Sequence, residues 1–185
     1  MSGTPDNVII GPGWLYMAPL ATSEPADSTT ALPSAWISLG YTEDGTDMVV
    51  SNKNDQIMVA ETKYPIRVVN SESVVKLRVK LAEPTLRNLK AAFGGGTAGS
   101  NTATSMELPT DLTGIMLVHD SNPATSLTEN RRKVFRECYP SSDVSLPFKK
   151  SPNKTTVDVE FMAVLPENQT SPAIFLKPAG VSVAV

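Results

Sequence analysis

The chain has 185 residues and a net charge of −3, with 41% hydrophobic and 19% charged residues. That balance is too apolar for a disordered chain, and the overall charge implies no attraction to nucleic acid or to an anionic membrane. A single cysteine, Cys138, excludes an intrachain disulfide, and a single histidine, His119, excludes a His/Cys metal cluster.

The charge is unevenly distributed. Residues 1–60 carry one base (Lys53) against seven acids, a balance of −6, and the remainder carries fifteen Lys and Arg against twelve acids, a balance of +3. Such asymmetry suits head-to-tail contact between copies, although acids clustered in solvated loops give the same count. "MSGTPDNVIIGPGWLYM" has neither the basic start nor the apolar run of a signal peptide, and no stretch approaches the roughly 18–20 apolar residues of a membrane span. A protein made in a cytoplasm, with no membrane partner, is expected.

Fifteen prolines and eleven glycines favour short strands over long helices. Residues 1–13 read as a polar N-terminal arm and 14–185 as one domain. "GWLYMAPL" alternates as a strand stopped by Pro19, with Trp14 expected in the core, and "ATSEPADSTTALPSA" has loop composition. "WISLGYT" is a second strand carrying Trp36 into the core, ended by an "EDGT" turn in which Gly45 supplies positive φ. Residues 46–70 contain three extended pieces separated by "NKND" and Tyr64–Pro65, a long hairpin or protruding loop. "SVVKLRVKLAE" is the strongest strand: Val75, Leu77 and Val79 take the core face, and Lys76, Arg78 and Lys80 the other.

One helix is expected over about 84–93, with Leu86, Leu89 and Phe93 as its buried stripe and the Gly94–Gly96 run as its terminator. A small-residue loop, read as flexible, follows over about 94–112. Strands are then expected in "GIMLVHDS", "RKVFRECY", "VSLPFKKS", "TTVDVEFMAVLP", "AIFLKP" and "VSVAV", with 144–151 and 154–165 paired as a hairpin through "SPNK". The fold class is mainly β, a sandwich or rolled barrel with one flanking helix.

Catalytic chemistry finds little to stand on. His119 lacks a G-x-S-x-G partner and reads as structural, and Cys138 reads as an inert half-buried thiol. "GGGTAG" lacks the G-K-[ST] ending of a phosphate loop and follows a helix instead of opening one. Asp158 and Glu160 share a strand face, where an acidic stripe is a simpler reading than a glycosidase pair. The stripe Lys76, Arg78, Lys80 and the cluster Arg131, Arg132, Lys133, Arg136 lack the interleaved aromatics of a single-strand-binding surface. No enzyme, metal or cofactor is expected.

The ordered set "GPGWLYMAPLATSEPADSTTALPSAWISLGYTEDGTDMVV" followed by "VVKLRVKLAEPTLRNL" resembles the N-terminal half of major tail proteins, the tail-tube subunits of long non-contractile-tailed bacteriophages. The resemblance covers about residues 8–94. It implies a β-sandwich or rolled barrel whose copies close as hexameric rings, stack head to tail and pass the genome through the bore. Partners would be further copies, the terminator, tape-measure and tail-tip proteins, and transiently passing DNA, in a virion tail made in a host bacterium. On that frame the excursion 46–70, with Tyr41, Glu43, Asp44, Asp47, Met48, Val50, Ile57, Met58 and Tyr64, is expected at contacts between subunits or rings. Lys76, Arg78 and Lys80 are expected to meet acids of a neighbouring subunit, and Asp158 and Glu160 to face the bore. The alternatives are a single-ring head–tail or terminator protein, and a receptor- or carbohydrate-binding sandwich. The latter is disfavoured by 6% aromatic content and by two tryptophans placed in core strands.

Overall fold

The computed structural model describes residues 13–97, 104–121, 131–147 and 154–178. The expected arm (but for Gly13), the middle of the small-residue loop and the "VSVAV" strand lie outside the described residues. Strand accounts for 47% and helix for 5% of the described residues. Among the described residues the strands are β1 (Trp14–Pro19), β2 (Ile37–Ser38), β3 (Thr42–Ile57), β4 (Arg67–Leu81), β5 (Ile115–Asp120), β6 (Arg132–Pro140), β7 (Val157–Ala163) and β8 (Ala173–Leu176), with one helix, α1 (Leu86–Ala92).

All eight strands join one antiparallel sheet in the order β2-β1-β5-β6-β7-β4-β3, with β8 on β6. The two ends of that order are three residues apart in sequence. β2 pairs with β1, and the pairing continues as Leu39 N–H donates to Leu15 O; by Tyr41 the chain has crossed to β4, where Ala82 N–H donates to Tyr41 O. A single bent strand therefore closes the sheet on itself. Gly40 makes the bend: it sits at φ +80°, and an added Cβ would fall 2.4 Å from the Glu83 carboxylate, which accepts from Tyr41 N–H at 3.0 Å.

Closure explains the core. Leu15 and Met17 of β1, Leu77, Val79 and Leu81 of β4, Phe135 of β6 and Phe161 of β7 share one buried cluster, although β1 and β4 are far apart in strand order. A second cluster covers the opposite face of β1, β5 and β6, where Trp36 lies on Ala18, Met116, Val118 and Val134. The loop bearing Trp36 is pinned by two arginines of β6. Arg132, 4% exposed, donates to the carbonyls of Asp27 and Thr30 and pairs with Asp120 at 2.8 Å; Arg136 pairs with Glu24 at 2.8 Å. Two of the four clustered bases, Arg132 and Arg136, are thus spent inside the fold.

Several expectations are corrected. Trp14 is 44% exposed, because the covering loop reaches the Ala18 end of β1 and not its start. The "EDGT" segment is not a turn: β3 runs through it, and the register shifts between Thr42 and Thr46 around Gly45 at φ +86° as a bulge. The helix buries Asn88, Ala91 and Ala92, with Leu89 packed against the core, while Leu86 and Phe93 are only half-buried. Asn88 is buried while donating from Nδ2 to Leu39 O and Glu83 O, and Thr85 caps the helix by accepting from Asn88 N–H. Of the hairpin expected between 144–151 and 154–165, residues 148–153 lie outside the described residues, and the described part shows an isolated antiparallel bridge, Ser145 with Asp158. His119 and Cys138 are both buried, and burial pushes the Cys138 thiol well above its ordinary range. Val75, Leu77, Val79 and Trp36 lie in or against the core as expected.

Candidate assembly surface

β3 and β4 are far longer than their neighbours. β7 pairs with β4 only over Val75–Leu81. Below that, residues 51–57 of β3 and 67–74 of β4 form a two-stranded ribbon with no third strand among the described residues, about 25 Å long at the usual rise per residue. Nearly all of it is exposed on both faces. The apolar side chains along it and at its two ends are not covered: Val50, Ile57, Met58, Tyr64, Ile66, Val68 and Val69 are each at least 41% exposed.

The ribbon is ordered by polar chemistry where core packing ends. A register shift between Lys53 and Asn54 leaves Ser71 as the extra residue, and its hydroxyl donates to Lys53 O at 3.1 Å. Asn70 Nδ2 donates to Ser73 Oγ, which donates in turn to Asn52 Oδ1, both at 2.8 Å. These bonds fix the register without burying any apolar surface, a task that burial performs elsewhere in the sheet.

Beside the ribbon, the outward face of β3, β4 and β7 carries the expected charged residues together. Glu160 accepts from Lys76 Nζ at 2.7 Å, from Arg78 Nε at 2.6 Å and from Ser141 Oγ at 3.1 Å. These donors, Lys76 first, hold its carboxyl down at about 2, and the same pairing raises Arg78. Lys80 lies 3.5 Å from Asp44, and Lys154 pairs with Glu43. Asp158 stands opposite Lys80 in register, at the wall of an open depression of about 470 Å³ that Asp44, Asp47 and Glu160 also line. The basic stripe and the acids assigned to different surfaces thus occupy one face of one chain.

A third feature escaped the sequence reading. Trp14 and Tyr41 stack with ring centroids 6.0 Å apart and planes at 47°, and Tyr41 is 68% exposed. Barrel closure brings them together, and no spacing in the sequence carries that signal. Ile66, Val68 and Val69, within the expected excursion 46–70 but not singled out there, are also exposed. Met48, expected at a contact, is half-buried against the core, since it stands opposite Leu77.

Residues 1–125 match the family described as phage tail tube protein. The chain belongs to that family. A comparison with curated proteins finds no match. The match runs through the ribbon, the helix, the Trp14–Tyr41 pair and β5, whereas β6, β7 and β8, with Asp158 and Glu160, lie beyond it. A tail tube protein is a structural component of the virion tail, which assembles with itself and with other tail proteins.

Proposed function

We propose that this subunit closes into hexameric rings that stack into the hollow tube through which phage DNA passes, with the β3–β4 ribbon as the main contact between copies. The observation that carries the reading is the ribbon itself. A two-stranded ribbon is marginal in water on its own, and this one leaves seven large apolar side chains exposed beyond the barrel. A neighbouring subunit's sheet would pair its edges and cover Ile57, Met58, Tyr64 and Ile66. The Trp14–Tyr41 pair, beside the point where β2 passes into β3, would serve as an aromatic anchor for a second copy. The charged face of β3, β4 and β7 is the candidate bore lining, with Asp158 and Glu160 on it.

The exposed aromatic pair is also what a carbohydrate-binding module needs, so the sequence argument against that alternative loses one of its two tryptophans. Two rings tilted by 47° offer no flat stacking platform, however, and the tail tube family supports the assembly reading.

The test is negative-stain electron microscopy of the purified chain concentrated stepwise, beside a variant in which residues 53–72 are replaced by a two-residue Asn–Gly turn joining the paired Asn52 and Ser73. Hollow tubes with a regular axial repeat are expected from the wild type, and a folded but non-assembling barrel from the variant. Tubes of normal repeat from the shortened variant would overturn the ribbon's role.

A further inference from the structure

Across β3, β4 and β7 the outward side chains run acid, base, acid. Arg78 stands opposite Asp47 on β3 and opposite Glu160 on β7. Lys80 stands opposite Asp158 and reaches Asp44 of the bulge. Lys76 has uncharged partners in register, Val49 and Met162, and reaches diagonally to Glu160 instead. Four carboxylates therefore serve three bases, and each base has one in reach.

Without those carboxylates the stripe would be a ready polyanion site. Alternate residues of a strand are spaced about 6.7 Å apart, so Lys76, Arg78 and Lys80 form a line of cations about 13 Å long. Each phosphate such a line neutralises adds to affinity through counterion release. Glu160 prevents this most directly. Its side chain is 13% exposed, it holds two of the three bases at once, and Ser141 fixes it in place. An acid tethered at 2.6–2.7 Å competes at high effective concentration against a phosphate arriving from solution.

We propose that Glu160, assisted by Asp44, Asp47 and Asp158, masks the Lys76–Arg78–Lys80 stripe from polyanions, so that this face lies beside double-stranded DNA without holding it. The choice of DNA rests on the tail-tube reading; the masking chemistry does not. The charged face is thus an internally compensated surface, dense in cations yet slippery to phosphate.

The probe is a fluorescein-labelled DNA duplex, with anisotropy read against the purified full-length chain over about 50–200 mM salt, where phosphate contacts are most visible. Weak binding is expected from the wild type. Glu160→Gln should tighten it about tenfold at the low-salt end and steepen the salt dependence by about two phosphate contacts. Adding Lys76→Gln and Arg78→Gln to that variant should return affinity to the wild-type level. A folded Glu160→Gln chain, by circular dichroism, that binds no more tightly would overturn the proposal. So would a wild type that binds tightly through Lys76 and Arg78, because the stripe would already be free. If Glu160→Gln does not fold, Asp44→Asn with Asp47→Asn decides: both residues are exposed, about a threefold gain is expected, and no gain overturns the proposal. Tube formation is scored on the same samples by microscopy. Unmasked DNA binding without wild-type tubes breaks the assembly reading alone, and tubes without unmasking break the masking alone.

Discussion

From Val75 to Leu81, β4 lies between β3 and β7 with Leu77, Val79 and Leu81 in the core; from Arg67 to Val74, among the described residues, the same strand has only β3 beside it and no core beneath. In the first region alternation sorts apolar from charged residues, and each kind finds a partner within the chain. In the second, Val68 and Val69 point to opposite faces and both stay exposed, and the register depends on Ser71, Asn70, Ser73 and Asn52 instead of on burial. The contrast separates what this chain needs in order to fold from what it offers to another chain. Stability should reside in the barrel, and assembly in the ribbon.

The sharpest way to break that division is a pair of substitutions. Phe161→Ala removes a fully buried ring at the centre of the core and should cost about 3–5 kcal/mol in chemical denaturation. Tyr64→Ser with Ile57→Ser should shift the same transition by no more than about 0.5 kcal/mol while abolishing tubes. A large loss of stability from the ribbon pair would show that the ribbon supports the fold of the free chain.

A smaller effect belongs to the bend where β2 passes into β3. Gly40→Ala forces a left-handed backbone on a residue with a side chain and displaces the Glu83 carboxylate from Tyr41 N–H, at an expected cost of about 1–2 kcal/mol by thermal unfolding. Acid tests the charged face. The carboxyl of Glu160 lies at about 2 against an ordinary 4.5, so its pairing is fully present above about pH 4.5 and is lost as pH falls toward 2. The wild type should lose stability across that window more steeply than Glu160→Gln, in denaturation curves taken at each pH. The smallest expected change is Thr85→Ala, which uncaps a seven-residue helix for about 1 kcal/mol and should leave tubes unaffected.

The barrel was largely legible in the sequence because alternation is a local signal: "VVKLRVKL" declared its two faces, and Trp36 followed a loop whose composition was plain. The site was less legible, for reasons of topology. Glu160 lies more than 80 residues from Lys76 and Arg78 in the chain, and only the pairing of β4 with β7 makes them one cluster. Trp14 was misassigned because alternation gives the face of a strand but not how far along it a covering loop extends. Gly45 showed its positive φ, but a turn and a bulge ask the same of a glycine. The helix stripe failed on Asn88, a polar residue that two hydrogen bonds allow to be buried as fully as Ala91 and Ala92.

The claim that the ribbon is covered by another copy is tested most directly by hydrogen exchange followed by mass spectrometry, on the free chain and on assembled tubes. Amides of residues 51–57 and 67–74 are expected to exchange rapidly in the free chain and to become strongly protected in tubes, while the β5 and β6 amides are protected in both. Tubes in which the ribbon exchanges as fast as in the free chain would contradict the account.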